Sequence, residues 1–148
     1  MYMDNKTKSL IFDFTQFSSI IFFVFTGPLI SSNLIIWLFQ LLSLFLILSA
    51  VWQMRRTKFY RVPDVGKQRE LVTSGIYSYI RNPMYTSQIL FLTSLLSIHF
   101  SLSRLIVLLI FTVNFLYKIK YEEELLKRHF PKFMEYLAKT ARLLPYIY

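Results

Sequence analysis

The sequence predicts an all-α integral membrane protein: four transmembrane helices in two hairpins, followed by a cytoplasmic, amphipathic C-terminal helix. Three observations predict it. Hydrophobic residues fill 55% of the 148 positions and the mean hydropathy is positive, which is more apolar surface than a soluble domain of this size can hide. The apolar residues gather in four runs of near-spanning length. The basic residues collect in alternate gaps between those runs, as loops facing an anionic leaflet do.

The first run covers about residues 11–30, close to the ~20 residues that a bilayer requires. Asp13 and Gln16 set its first turn near the headgroups, and Gly27-Pro28 mark its end. The second run, at about residues 34–53, carries Gln40, Ser43 and Ser49 as tolerable polar positions. The short break Ser31-Ser32-Asn33 makes this pair a tight hairpin. A second pair spans about residues 84–100 and 102–118, broken around His99-Phe100-Ser101. Both are slightly short, so they borrow flanking residues or thin the bilayer locally. Pro83 suits the first turn of the third helix, where its missing N–H has no intrahelical partner.

Beyond the fourth run, Leu125, Leu126, Phe130, Phe133, Tyr136 and Leu137 recur at helical spacing among Lys127, Arg128, Lys132 and Lys139. That pattern suits an amphipathic helix lying on the membrane or folding back over the central loop. Pro131 divides it into two pieces. The chain reads as one domain in four stretches: a first hairpin at 1–54, a cytoplasmic loop at 55–83, a second hairpin at 84–118 and a C-terminal segment at 119–148.

Orientation follows from the cations. Arg55, Arg56, Lys58, Arg61, Lys67, Arg69 and Arg81 stand between the second and third runs. Lys118, Lys120, Lys127, Arg128, Lys132, Lys139 and Arg142 follow the fourth, and Lys6 and Lys8 precede the first. The opposite turns share only Arg104. The positive-inside rule therefore places both termini and the central loop in the cytoplasm, which four crossings satisfy. Lys6 and Lys8 ahead of an apolar run also suit a signal peptide, but the run is long and no small-x-small cleavage site follows.

A net charge of +9 would suggest nucleic acid in a soluble protein. Segregated between apolar runs, the charge points to a lipid surface instead, and no nucleic-acid partner is expected. There is no cysteine, which removes disulfides, thiolate chemistry and zinc–thiolate sites. His99 and His129 are far apart in sequence, so no metal site is expected.

Residues 71–85, Leu-Val-Thr-Ser-Gly-Ile-Tyr-Ser-Tyr-Ile-Arg-Asn-Pro-Met-Tyr, form a polar segment at the mouth of the third run. Gly75 permits a close or left-handed turn. Asn82-Pro83 fixes the chain where it enters the bilayer and so holds Arg81 at the boundary. Tyr77, Tyr79 and Tyr85 read as interfacial aromatics or as ligand contacts. A second cluster, Lys118-Ile119-Lys120-Tyr121-Glu122-Glu123-Glu124, leaves the fourth run on the same predicted face. Lys118 and Glu122 lie one helical turn apart, either as a simple i,i+4 ion pair or as a cation and an anion aimed at a zwitterionic ligand.

At these residues the sequence resembles the isoprenylcysteine carboxyl methyltransferase family, related more distantly to the phospholipid methyltransferases. The matching positions are Leu71-Val72, Gly75, Tyr77, Arg81, Pro83, Tyr85, Glu122-Glu123, Leu126 or its neighbour, Phe130, Tyr136, Arg142 and Pro145, in the family's order and spacing. They cover about half of the chain. Departures are Asn82 for the usual His, Pro131 for a Gly and Phe133 for a Tyr. Arg69 and Lys118 stand where the isoprenylcysteine enzymes have a His and a substrate-facing Arg.

The resemblance implies S-adenosyl-L-methionine as cofactor and a lipophilic methyl acceptor, a prenylated carboxylate or a lipid headgroup. It assigns cofactor binding to Arg69, Leu71, Val72, Tyr77, Asn82, Pro83, Met84, Tyr85 and Glu122. It assigns catalytic roles to Arg81, Lys118 and Glu123. A carboxylate acceptor needs a cation to orient it, such as Arg81 or Lys118. An amine must lose a proton and needs a base, such as Glu123. No GxGxxG and no alternating strand–helix pattern is present, which excludes the soluble Rossmann type of methyltransferase. A four-helix cation exporter would need an acid deep in a membrane helix, and the candidate Asp13 lies at a helix end. A membrane scaffold would explain the apolar runs but not the paired charged clusters.

Overall fold

The computed structural model describes residues 5–56 and 71–144. Over these the protein is helical: α1 (Asn5–Phe25), α2 (Leu34–Arg56), a 3-10 turn (Gly75–Ser78), α3 (Pro83–Ile98), α4 (Leu102–His129) and α5 (Phe133–Lys139). Among the described residues no strand forms, and a single parallel β-bridge joins Ile80 to Ala141.

Among the described residues, three helices are long and apolar enough to cross a membrane, over Thr7–Phe25, Leu34–Arg55 and Leu102–Arg128. The third predicted span forms as the 16-residue α3, about 24 Å at the usual rise, against a hydrocarbon core of about 30 Å. Helix α1 begins and ends earlier than its expected bounds. It winds through the polar residues Thr7, Lys8 and Ser9 and stops short of Gly27-Pro28, because a residue before proline is pushed out of the α region. Asn33 caps α2, its side-chain oxygen accepting from the backbone N–H of Ile35 at 2.9 Å. Helix α4 runs unbroken from the apolar segment through Glu124 to His129, and Pro131 separates it from α5 as expected.

The chain forms two compact units, one containing the residues up to Leu41 with Ile89–Lys120, the other Leu42–Gln88 with Tyr121 onward. In the first, the rings of Phe111 and Phe115 pack at a tilt of 48° with centroids 4.4 Å apart. The fully buried Arg104 donates to the carbonyls of His99 at 2.9 Å and Phe23 at 3.3 Å, and lies over the Phe23 ring. These carbonyls belong to helix ends that lack intrahelical donors, so Arg104 acts as a shared cap. Gly27 makes room for it: a Cβ there would meet Arg104 Nη1 at 2.6 Å.

In the second unit Ala50, Val72 and Tyr77 form a buried core against Met54, Ile76 and Met84. Ser43 Oγ donates to the Ser87 carbonyl at 2.7 Å, tying α2 to the start of α3. This unit carries most of the residues singled out by the sequence.

Candidate active site

The geometry starts from Gly75. Its φ of +62° is a left-handed conformation that only glycine adopts cheaply. It opens the 3-10 turn that buries Tyr77. Gln53 of α2 donates to Ser74 Oγ at 2.5 Å and so holds the entry to that turn. Past it, Arg81 N donates to the Ala141 carbonyl at 2.9 Å and Ala141 N donates to the Tyr79 carbonyl at 3.0 Å. Asn82 ends the segment by accepting at its carbonyl from the N–H groups of Tyr85 and Thr86, at 3.0 and 3.1 Å. Pro83 then starts α3.

The C-terminal residues lie along this segment in order. Tyr136 donates its hydroxyl to the Tyr77 carbonyl at 2.7 Å. Asn82 Nδ2 donates to the Arg142 carbonyl at 3.1 Å, and Thr86 Oγ1 to the Leu143 carbonyl at 2.7 Å. Burial pushes the Tyr136 hydroxyl above the ordinary tyrosine range, with Arg81 opposing and Tyr77 adding to the shift. It therefore stays a neutral donor at physiological pH.

Two carboxylates from α4 meet this frame. Tyr85 donates to both oxygens of Glu122, at 2.8 and 2.9 Å, which fixes that carboxylate's orientation. Glu123 is gripped by two guanidiniums: Arg81 Nε reaches Oε1 at 3.1 Å, and Arg142 reaches Oε1 at 3.2 Å and Oε2 at 2.8 Å. Arg81 also donates through Nη1 to the carbonyls of Leu137 and Thr140, satisfying the C-terminal end of α5 where a cation is favoured.

A small cavity of about 60 Å³ lies here, lined by Met54, Leu71, Val72, Tyr77, Arg81, Asn82, Glu122, Glu123, Leu126, Phe133 and Tyr136. An open groove of about 770 Å³ shares Leu71 and Tyr136 with it and adds Thr73, Ser78, Phe130, Pro131, Lys132, Glu135, Lys139 and Thr140. Of the positions singled out by the sequence, Leu71, Val72, Tyr77, Arg81, Asn82, Glu122 and Glu123 thus share one wall, and Tyr85 reaches it through Glu122. Pro83 is fully buried at the start of α3, and Met84 packs on the Ala50–Val72–Tyr77 core.

Lys118 belongs to the other unit. Its buried ammonium donates to Asp13 Oδ1 at 2.6 Å and Gln16 Oε1 at 3.1 Å. Arg69 lies outside the described residues.

Several contributors were not chosen as site residues from the sequence. Met54 sits at the end of an apolar run and gives no signal. Phe133 and Tyr136 show as helix-spaced aromatics at tyrosine positions of the family motif, and Arg142 as the cation of its closing part. Among the described residues, no group of three or more His, Cys, Asp or Glu gathers as metal ligands would.

Membrane-length helices with this polar constellation between motif segment and tail define the class: a helical membrane protein. The sequence pattern of the phospholipid methyltransferase family matches residues 33–132, more than half of the chain. The chain belongs to that family, the one that holds isoprenylcysteine carboxyl methyltransferase-like proteins. It is also similar to the nickel-cobalt-cadmium resistance protein NccN of Alcaligenes xylosoxydans xylosoxydans, 34% identical over 80 residues, which are 53% of this chain and 38% of that protein. The chain therefore spans well under half the length of this curated relative.

Proposed function

We propose that the protein is an integral-membrane, S-adenosyl-L-methionine-dependent methyltransferase acting on a lipophilic acceptor at the cytoplasmic membrane face, in the manner of isoprenylcysteine carboxyl O-methyltransferases. The observation that carries this is Glu122, oriented by Tyr85 in a wall shared with Tyr77 and Asn82. The donor set fits the cofactor: a carboxylate for its ammonium or ribose hydroxyls, an amide, and aromatic faces for the adenine. Size requires the groove as well. Ligand sites of this class run to about 300–1,000 Å³, which the groove reaches at about 770 Å³ and the cavity alone does not.

When bound, S-adenosyl-L-methionine supplies an electrophilic methyl group for in-line displacement, so most of the catalysis is positioning. Glu122, Tyr77 and Asn82 hold the donor side, with Leu71 and Val72 closing the apolar wall. Lys118, steadied by Asp13 and Gln16, is assigned to orient an anionic acceptor group. Arg69 is assigned to the cofactor on the resemblance alone. Four crossings with both termini cytoplasmic remain the topology that the distribution of cations favours. An amine headgroup is the alternative acceptor, and it would need a base at this wall.

Calorimetric titration of the detergent-solubilised chain with S-adenosyl-L-methionine and its demethylated product tests the reading. Micromolar binding of both is expected, and binding of neither refutes it. Transfer of radiolabelled methyl to prenylcysteine carboxylates against ethanolamine phospholipids then distinguishes the acceptors.

A further inference from the structure

We propose that Arg142 is a positioning residue: with Arg81 it clamps Glu123, and the clamp holds the C-terminal segment against residues 77–86 so that Tyr77 and Asn82 keep their places in the cavity wall. The inference rests on the methyltransferase reading and departs from the sequence-based role of Glu123 as a base. Both oxygens of Glu123 already accept guanidinium N–H bonds, at 3.1 and 3.2 Å on Oε1 and 2.8 Å on Oε2. Three of the carboxylate's roughly four lone-pair sites are thereby taken, which makes it first of all an anchor for the two guanidiniums.

The clamp has a mechanical consequence. The Arg142 carbonyl is the acceptor for Asn82 Nδ2, so the residue that grips Glu123 with its side chain also orients the Asn82 amide with its backbone. Its neighbour Ala141 bridges Tyr79 and Arg81, and Tyr136 bonds the Tyr77 carbonyl. Arg81 is anchored a second time by the Leu137 and Thr140 carbonyls, and Glu123 links this frame to α4 beside the Tyr85–Glu122 bond. The Arg81 and Glu123 side chains are 11% and 7% exposed, so their charges are little screened by water. Arg142 is 30% exposed and contributes mainly geometry.

Charge counting makes the test specific. Glu123→Gln leaves two guanidiniums facing each other with no carboxylate between them. Adding Arg142→Gln removes one of them. A brace therefore predicts that the double variant recovers affinity that the single variant loses, whereas a base, which acts on the acceptor, predicts parent-like affinity in both. The measurement is calorimetric affinity for S-adenosylhomocysteine, with the unfolding midpoint of each detergent-solubilised full chain recorded beside it. Glu123→Gln is expected to weaken binding about tenfold and the double variant to recover at least about threefold of that, the size typical of coupled charge networks.

Arg142→Lys, which keeps the charge but not the two-point grip, should bind between the parent and Arg142→Gln. Equal weakening in single and double variants, or midpoints that move while affinity does not, overturns the brace. Should Glu123→Gln fail to fold, the Arg142 pair carries the test, and an Arg142→Gln chain that binds like the parent overturns it. A parent that binds no S-adenosylhomocysteine removes the methyltransferase reading and this inference with it.

Discussion

Tyr85, in the first turn of α3, donates its hydroxyl to both oxygens of Glu122 across 37 residues of sequence, at 2.8 and 2.9 Å. The bond turns this partly buried carboxylate of α4 into a fixed acceptor on the cavity wall. Glu122→Gln keeps the shape and removes the charge. If Glu122 takes the cofactor's ammonium, a charge-assisted bond of ~1.5–3 kcal/mol is lost, so affinity for S-adenosyl-L-methionine should fall about 10- to 150-fold. Tyr85→Phe keeps the charge and frees the rotamer, for a loss nearer ~1 kcal/mol. Cofactor titrations of the two variants check the order, and parent-like binding by Glu122→Gln would mean that the assignment is wrong.

Variants of Lys118 test the proposed acceptor role apart from cofactor binding. It pairs with Asp13 and Gln16 inside its own unit, so replacing it alone leaves a half-exposed Asp13 carboxylate. Lys118→Ala should spare cofactor affinity and slow methyl transfer. Lys118→Arg should retain transfer if the acceptor is anionic, since the guanidinium adds a bidentate grip. Asp13→Asn should lower the unfolding midpoint more than Lys118→Met does, because it strands a buried cation. Normal turnover by Lys118→Ala would reduce Lys118 to an intramembrane structural pair.

Gly75 can be tested without any ligand. A Cβ at Gly75 would meet Gln53 Oε1 at 2.9 Å, but that is the end of a flexible side chain, so the steric part is cheap. The φ of +62° is not. Gly75→Ala should cost ~1–2 kcal/mol, and Gly75→Asn less, because asparagine visits the left-handed region more readily. Chemical unfolding reads the difference; equal costs for the two would show that contact rather than backbone strain decides.

What the sequence made legible follows from the range of the signals. Apolar run length exposed α1, α2 and α4, since a spanning helix must be long and greasy wherever it sits. Pro83 and Pro131 marked a helix start and a break because proline acts locally. The wall residues from Leu71 to Asn82 and the Glu122-Glu123 pair were visible as motif clusters. Their grouping into one unit rests on contacts that no local pattern encodes. Helical spacing pairs Lys118 with Glu122, yet the partners placed beside Lys118 are Asp13 and Gln16, about a hundred residues away. Arg104 counted only as a lone cation in the outer turns; its capping of two helix ends depends on a void at Gly27 that only the fold creates. Arg142 was legible as a motif letter, but not as the grip on Glu123.

Tyr136 gives a prediction with a pH signature. Its hydroxyl is held above the ordinary value of ~10 chiefly by burial, so the folded state binds this proton more tightly than the unfolded state does. The sign follows: the stabilisation is fully present below the unfolded value and is lost as pH rises above it, at ~1.4 kcal/mol per pH unit until the folded value is reached. Tyr136→Phe deletes the bond to the Tyr77 carbonyl, worth ~1 kcal/mol, and deletes the titration too. At pH 8 the variant should be the less stable chain; by about pH 11 the parent should have lost that advantage. Since 10 tyrosines ionise in the same range, the parent-minus-variant difference is the quantity to follow, from unfolding midpoints at the two pH values. A gap that does not narrow as pH rises would show that burial does not hold the Tyr136 hydroxyl protonated.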